Sequence, residues 1–304
     1  MPSTLATWKD HLHLHFIVLI WGFTAIIGLF ISIPAVELVF FRTLIAALAL
    51  AVMLYARGIR PWAGIPAIQS LLATGALIAA HWMLFFGAAR VANASVCLAG
   101  MATSSLWTSV LEPLMGGKRI RPLEMGLGLV VMAGLYTIFH FEFNHALGVA
   151  MAIASAMLAS LFSVLNSRFS RQHSSFVITF YEMVGAFVAT ALFLPFYARW
   201  MVPNGRLHLL PTANDWLCIA ILALVCTVYA YSAAVKLLQR FSAFAMNLVI
   251  NLEPVYGIVL AFLIFGDSER MTSGFYVGTS LIFLAVLSYP ILNRLTRVRA
   301  APAE

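Results

Sequence analysis

Long apolar runs follow one another along nearly the whole chain. Short segments with Pro, Gly, Lys or Arg separate them, such as Pro34, the turn at 57–61 and the loop at 203–211. An α-helix needs about 20 mostly apolar residues to cross a bilayer. The pattern therefore predicts an all-α membrane protein with ten transmembrane helices, at residues 14–33, 35–56, 66–89, 92–115, 123–140, 146–167, 175–197, 214–236, 243–265 and 272–292.

The composition supports a membrane protein without a soluble domain. Of the 304 residues, 62% are hydrophobic and only 10% are charged, whereas an ordinary soluble domain has about 25% charged residues. The net charge is +7, but the basic residues lie at the ends of apolar runs and form no stripe. This distribution indicates a lipid bilayer as the surroundings and gives no sign of nucleic-acid binding.

The positions of Lys and Arg predict the orientation of the chain. With the N-terminus inside, the inner segments hold 13 basic residues and the outer loops hold 4. Basic residues are retained on the cytoplasmic side of a membrane. We therefore expect a multi-pass protein with both termini in the cytoplasm and an even number of helices.

The two halves of the chain resemble each other when one is moved by roughly 140 to 152 residues. We interpret residues 1–140 and 141–304 as two five-helix repeats within one membrane domain. Because five is odd, the second repeat enters the membrane from the opposite side, as in many alternating-access carriers. In this register Leu111-Glu112-Pro113 and Leu252-Glu253-Pro254 are about eight residues out of step. The features that do align are Phe41-Arg42 with Tyr181-Glu182, Ala94-Ser95 with Ser242-Ala243, and Gly117 with Gly266.

Polar and aromatic residues deep within a span are candidates for a central cavity, because polar groups are costly in hydrocarbon and tryptophan usually prefers the interfaces. Helix packing or interhelical hydrogen bonds explain many of them as well. The substrate-binding candidates are Trp21, Thr24, Arg42, His81, Trp82, Phe85, Ser104, Trp107, Tyr181, Tyr229, Asn247 and Asn251.

Two charged residues lie well inside the predicted spans. Arg42 either extends toward the outer interface or binds a substrate carboxylate in the cavity. Glu182 is either a protonatable coupling group or a neutral acid that is hydrogen-bonded to a neighbouring helix. Each lies about 10 Å from its own end of the membrane, and these ends are opposite, so a direct salt bridge between them is not expected.

No cofactor, metal site or enzymatic motif is indicated. His11, His13 and His15 alternate and therefore point to different sides of a helix, and we expect a frayed terminal segment there. Gly116-Gly117-Lys118-Arg119 lacks the upstream glycine and the Ser/Thr of a P-loop, and neither HExxH nor GxSxG is present. A channel would more naturally show repeated polar rings. We therefore predict a protein that is not an enzyme.

The order and spacing of several short motifs resemble a known family. These motifs are Trp21-Gly22, Ala88-Ala89-Arg90 before Ala94-Ser95, and the stretch from Ser242 through Leu252-Glu253-Pro254-Val255 to Gly266-Asp267-Ser268-Glu269-Arg270. The chain is similar to the ten-helix, EamA-type exporters of the drug/metabolite transporter superfamily, and most similar to the YddG-type exporters of aromatic amino acids. It departs from them in Gly117-Lys118-Arg119, where family members usually have Gly-Glu-Arg, and in Ser104-Ser105, where proline is common.

The resemblance implies a protein of the bacterial inner membrane with a central cavity that opens alternately to each side and exports small molecules from the cytoplasm. The first span contains no acidic residue to attract cationic drugs, and Arg42 is the one basic group well inside a span. Multiply charged anions would require several basic groups in the cavity. We therefore expect zwitterionic or neutral substrates, amino acids with aromatic side chains included. The alternatives are other small metabolites or drugs, an intramembrane enzyme and a channel. Gly274 and Gly278 form a GxxxG motif for a close helix contact or a homodimer.

Overall fold

The computed structural model describes residues 6–116, 121–141, 143–269 and 271–300, and within these ranges it is helical with no strand. Three short helices in these ranges are not α-helices: 3₁₀ helices at Phe143–His145 and Gly266–Glu269, and a π-helix at Leu222–Tyr229. The α-helices are α1 (Trp8–Gly22), α2 (Thr24–Leu29), α3 (Ala35–Ala56), α4 (Ile65–Val91), α5 (Ala94–Met101), α6 (Ser104–Gly116), α7 (Pro122–Phe141), α8 (Ala146–Phe169), α9 (Ser175–Trp200), α10 (Ala213–Ile221), α11 (Ala230–Leu237), α12 (Ala243–Ile250), α13 (Glu253–Phe265) and α14 (Ser273–Ala300).

Eight helical segments in the described part of the chain are long and apolar enough to cross a membrane, judged by length and composition. Two shorter apolar helices, Met125–Ile138 and Ser273–Ala285, lie within α7 and α14. The all-helical membrane architecture is therefore confirmed. The eight segments are Trp8–Leu29, Ala35–Ala56, Ile65–Val91, Ala94–Gly116, Ala146–Phe169, Ser175–Trp200, Ala213–Leu237 and Ala243–Phe265.

The first helix begins earlier than its apolar run predicts. Thr7 and Asp10 form a capping box: the Thr7 hydroxyl accepts from the Asp10 backbone N–H at 3.4 Å, and Asp10 Oδ2 accepts from the Thr7 N–H at 2.8 Å. Arg240 also pairs with Asp10 at 2.7 Å. The segment at 8–15 is thus a capped helix, and the expectation of a frayed terminal segment was wrong. A capping box satisfies amide groups that would otherwise leave the first turn open.

Four of the eight apolar segments are interrupted near their middle. The breaks fall at Phe23, at 102–103, in the π-helix Leu222–Tyr229 and at 251–252. Two of the interrupted segments have the same proportions: α5 and α12 have 8 residues each, α6 and α13 have 13 each, and two residues separate each pair. Interruptions of this kind free backbone groups at mid-membrane depth, where they are tolerated against protein or a cavity.

Helices from the two halves of the chain are interleaved. α4 packs against α8 and α9, α3 packs against α9, and α5 and α6 pack against α8. α7 and α14 form a separate close pair, in which a Cβ added at Gly278 would lie 2.5 Å from the carbonyl oxygen of Gly134. Gly278 therefore serves a close helix contact within the chain, which is one of the two roles predicted for the GxxxG motif.

Hydrogen bonds define the two ends of the bundle. At the Asp10 end, Arg240 pairs with Asp10 and the Gln239 side chain donates to the Ser170 carbonyl at 2.7 Å. At the Asp215 end, the two carboxylate oxygens of Asp215 accept from the backbone N–H and the hydroxyl of Ser32 at 2.6 and 2.7 Å. The Asp10 and Ser32 contacts join the two ends of the N-terminal region to the second half of the chain, and the Gln239 contact joins the end of α8 to the loop after α11.

Candidate functional site

A cavity of about 860 Å³, including space open to solvent, lies between the two halves of the chain. Its walls come from α1 to α6 and α8 and from the π-helix, α11, α12 and α13. It extends to Leu238 at the end of α11, on the Asp10 side. Cavities between the helices of a bundle are a common location for small-ligand sites.

The helix breaks position much of the cavity wall. Trp21 and Thr24 flank the first break, and Met101 and Ser104 flank the second. Cys226 lies in the π-helix, and Ile250 and Glu253 flank the fourth break. Because π-helices and broken helices in membranes frequently mark functional sites, this arrangement supports a binding role for the cavity.

Eight of the twelve substrate-binding candidates line this cavity. They come from six different helices, so their proximity depends on tertiary packing. They are Trp21, Thr24, Arg42, His81, Trp82, Phe85, Ser104 and Asn247.

Arg42 is the basic group of the cavity and is 3% exposed. Its Nε donates to the Thr227 hydroxyl at 3.0 Å, and its guanidinium lies 3.8 Å from the centre of the Trp82 ring and 5.6 Å from that of Phe86. Within the described part of the chain, no carboxylate forms a salt bridge with it. A buried cation without an anion is costly, so the site is suited to an anionic group supplied by a ligand.

Aromatic side chains form much of the remaining wall. Trp21 donates its indole N–H to the Cys226 carbonyl at 3.1 Å, which fixes the ring at the first helix break. His81 packs against Phe162 with ring centres 5.3 Å apart, and Phe162 in turn lies 6.1 Å from Tyr231. This wall offers apolar contact to a ligand beside the charged group.

Neutral polar side chains hold the cavity helices together. Ser104 donates to the Asn251 side chain at 2.8 Å, and Asn247 donates to the Thr108 hydroxyl at 2.7 Å. The first bond joins α6 to the helix break between α12 and α13, and the second joins α6 to α12 itself. His81 is held by Ser155, whose hydroxyl lies 2.8 Å from Nδ1.

The remaining four candidates lie outside the cavity wall. Asn251 reaches it only through Ser104. Trp107 and Tyr181 pack beside the main hydrophobic core. Tyr229 is 43% exposed, and its hydroxyl is 3.1 Å from the ring nitrogen Nε2 of His13. Spacing along a helix could not distinguish these residues from the cavity residues.

Glu182 also lies outside the cavity wall but is connected to it. The carboxyl Oε2 accepts from the Tyr231 hydroxyl at 3.1 Å, and this hydroxyl accepts from the Asn166 amide at 2.7 Å. Both Tyr231 and Asn166 line the cavity. The other oxygen, Oε1, is buried without a hydrogen-bond partner. No salt bridge joins Glu182 to Arg42 among the residues that the structure describes.

Four polar cavity residues were missed by the sequence reasoning: Ser163, Asn166, Tyr231 and Glu253. Glu253 is 6% exposed, and its carboxylate accepts no hydrogen bond from any residue in the described ranges. Its counterpart in the first Leu-Glu-Pro segment, Glu112, instead accepts from the Phe244 backbone N–H at 2.8 Å. The position of Glu253 ten residues into its span was the available signal, because a charge at that depth is functional by default.

Together these groups form a site with both charge types and an apolar wall. Arg42 can bind an anionic group, Glu253 can bind a cationic one, and the aromatic rings can contact an apolar side chain. The described residues contain no group of three or more His, Cys, Asp or Glu side chains that could hold a metal ion. The charged groups and the aromatic rings of this site are therefore suited to binding a small amphipathic molecule.

The described helices are those of a multi-pass membrane protein, and part of the chain is similar to a known family. Residues 146–289, just under half of the chain, match the model of the EamA-like transporter family, and this match supports the drug/metabolite transporter superfamily. Members of this family are transporters rather than enzymes.

A solved structure titled only "Crystal structure of protein" is similar in fold, with a TM-score of 0.68. It is 17% identical in sequence, and the similarity covers 94% of this chain and 99% of that one. No curated protein matches the chain.

Proposed function

We propose that this protein exports small zwitterionic or neutral metabolites, amino acids with aromatic side chains included, as the YddG-type exporters do. The observation that carries the proposal is Arg42: a buried cation that lines the cavity, stacks on Trp82 and has no carboxylate partner in the described ranges. A substrate carboxylate supplies the missing anion, and the aromatic wall receives the side chain.

The transporter works by alternating access between two inverted five-helix repeats, 1–140 and 141–304, with ten membrane helices in all. The equal lengths of α5 and α12, and of α6 and α13, support the repeat. α7 and α14 complete the count as the fifth helix of each repeat. The extension of the cavity toward the Asp10 end supports a state that is open on one side.

The chain lies in the inner membrane with both termini in the cytoplasm, so the Asp10 end faces inward. Reporter fusions placed after residue 300 and before residue 6 test this orientation. Both reporters should give the cytoplasmic signal. Signals from opposite faces would contradict the inverted repeat.

Transport is tested with purified protein in proteoliposomes. Labelled Phe, Trp, Met and Thr should each show counterflow that saturates with substrate, with Phe and Trp saturating at the lowest concentrations. Liposomes without protein are the control. Label exchange that does not saturate would indicate a pore, and the absence of any flux would contradict the transporter proposal.

A further inference from the structure

The cavity contains a second charged group, Glu253, for which the proposed carboxylate site gives no role. Glu253 begins α13 directly after a helix break and is 6% exposed. It lines the same cavity as Arg42, and no residue in the described ranges donates a hydrogen bond to its carboxylate. A buried carboxylate requires a cation or several donors, so the ligand itself is the natural source of the cation.

The two charges lie at similar depth in the membrane. Arg42 is seven residues from the start of α3 at the Asp215 end, about 10 Å deep, and Glu253 is ten residues from the start of α12 at the opposite end, about 15 Å deep. For a hydrocarbon layer of about 30 Å, their depths differ by about 5 Å. Glu182 differs from Arg42 by about 10 Å in depth and lies outside the cavity wall. It is therefore less suited than Glu253 to contact a ligand that is bound at Arg42.

A short chain of contacts also connects the two groups around the cavity wall. Arg42 donates to Thr227, and the preceding residue, Cys226, accepts from the Trp21 indole. A Cβ added at Gly22, the residue after Trp21, would lie 3.5 Å from the carbonyl oxygen of Glu253. Arg42 and Glu253 therefore belong to one continuous wall rather than to separate sites.

We propose that Glu253 binds the ammonium group of a zwitterionic substrate whose carboxylate is bound by Arg42. In an α-amino acid the ammonium nitrogen and the carboxylate carbon are about 2.5 Å apart, because both are bonded to Cα. With a charged hydrogen bond of about 2.8 Å at each end, this geometry suits two side-chain heads about 8 Å apart. The inference rests on the proposed function and narrows its substrate class from zwitterionic or neutral compounds to zwitterions.

The test uses three compounds with the same aromatic side chain: phenylalanine, 3-phenylpropionate, which lacks the ammonium group, and 2-phenylethylamine, which lacks the carboxylate. Each competes with labelled phenylalanine in counterflow by the full-length protein in proteoliposomes. In the unaltered protein, phenylalanine should compete at least tenfold better than 3-phenylpropionate. A ratio near one in this protein overturns the proposal without any variant.

Glu253→Gln keeps the shape of the side chain and removes its charge. It should weaken competition by phenylalanine and by 2-phenylethylamine at least tenfold, leave 3-phenylpropionate nearly unchanged, and bring the ratio close to one. Where this variant does not fold, Glu253→Asp should retain the preference for compounds with an ammonium group, at lower affinity. An unchanged ratio overturns the proposal, and so does an equal loss for all three compounds, as a proton or Na⁺ site would give.

Glu112→Gln is the matched control, because Glu112 occupies the other Leu-Glu-Pro segment, binds the Phe244 N–H and does not line the cavity. Its phenylalanine to 3-phenylpropionate ratio should equal that of the unaltered protein. A control ratio that falls as far as that of Glu253→Gln overturns a specific role for Glu253. If phenylalanine neither exchanges nor competes in the unaltered protein, the proposed function fails together with this inference, whereas saturable exchange with no dependence on Glu253 overturns the inference alone.

Discussion

Two groups of buried charges lie in this bundle, and they differ in what surrounds them. At the Asp215 end, Glu37 and Asp215 are buried and Arg90 is half-buried, and each has hydrogen-bond partners within the chain. Glu37 Oε2 and Arg90 Nη1 have no partner among the described residues. In the cavity, Arg42 has one hydrogen bond, to a neutral hydroxyl, and the carboxylate of Glu253 has none with a described residue. Both groups contain both signs of charge, so composition alone does not distinguish them.

The partners explain the difference. Asp215 accepts three hydrogen bonds of 2.6 to 2.8 Å from Ser32 and the Thr212 backbone, and Arg90 donates to the carbonyls of Gly28 and Ile31 at 3.1 Å. Charges that the protein itself satisfies stabilise the fold. Charges that line a cavity without a partner from the chain lower stability until a ligand binds, which is the usual cost of a binding site.

The largest effect is expected from Arg42→Gln. Removal of the cavity cation should lower the affinity for phenylalanine about 100-fold, because a charged hydrogen bond contributes up to about 3 kcal/mol. The melting temperature should stay the same or rise, since the buried cation has no anionic partner in the described chain. Counterflow and thermal unfolding of the same preparation measure both effects.

2-Phenylethylamine is the control ligand for this variant, because it lacks a carboxylate. Its competition should change less than twofold in Arg42→Gln. Equal losses for phenylalanine and the amine would mean that Arg42 supports the fold of the cavity and does not bind a carboxylate.

Asp215→Asn should have the opposite profile. The amide group would face donors at Ser32 and Thr212 in place of an acceptor, so we expect a loss of about 2 kcal/mol in stability and a melting temperature lower by roughly 5 °C. The competition ratio between phenylalanine and 3-phenylpropionate should not change. A change in that ratio without a loss of stability would contradict the assignment of Asp215 to the fold and of the cavity charges to ligand binding.

Trp82→Leu should have a smaller effect within the cavity. It removes the ring that lies 3.8 Å from the Arg42 guanidinium, and a cation–π contact contributes about 1 kcal/mol. Affinity for phenylalanine should fall about fivefold. Trp82→Phe, which keeps an aromatic ring, should recover part of the loss, whereas identical behaviour of the two variants would indicate a purely steric role.

Glu182→Gln should have the smallest effect at neutral pH. This residue is intermediate between the two groups, because one carboxyl oxygen accepts a hydrogen bond from Tyr231 and the other has no partner among the described residues. We propose that it couples transport to protons through Tyr231, which is the titratable group that touches it in the described chain. The variant should transport within twofold of the normal rate at pH 7 and lose its dependence on pH. An unchanged pH profile rejects coupling.

Much of the cavity was accessible to sequence reasoning because its residues are unusual at their depth. Arg42, His81, Trp82 and Asn247 are polar or aromatic in the middle of apolar spans, and all four line the cavity. The same criterion selected Tyr229, which is on the surface. Depth along a helix is a local property, whereas the face that points inward is set by neighbouring helices.

The two Leu-Glu-Pro segments show that an identical motif can place a glutamate in different surroundings. They are identical in sequence, yet Glu112 binds the N–H group of Phe244 while Glu253 lines the cavity. When α5 is aligned with α12, the residue equivalent to Glu253 is Ser104, eight residues before Glu112. The role of each glutamate therefore depends on its position within its own half of the chain. The Leu-Glu-Pro motif alone does not predict that role.

The sequence by itself determined the membrane environment, the positions of the apolar helices and the depth of each polar residue, because these follow from the local run of side chains. Only the tertiary structure decided where the helices break, which faces enclose the cavity and which charges have partners. In a bilayer nearly every helix face is apolar, so hydrophobicity does not select the inward face. That choice depends on packing between helices that are far apart in the sequence.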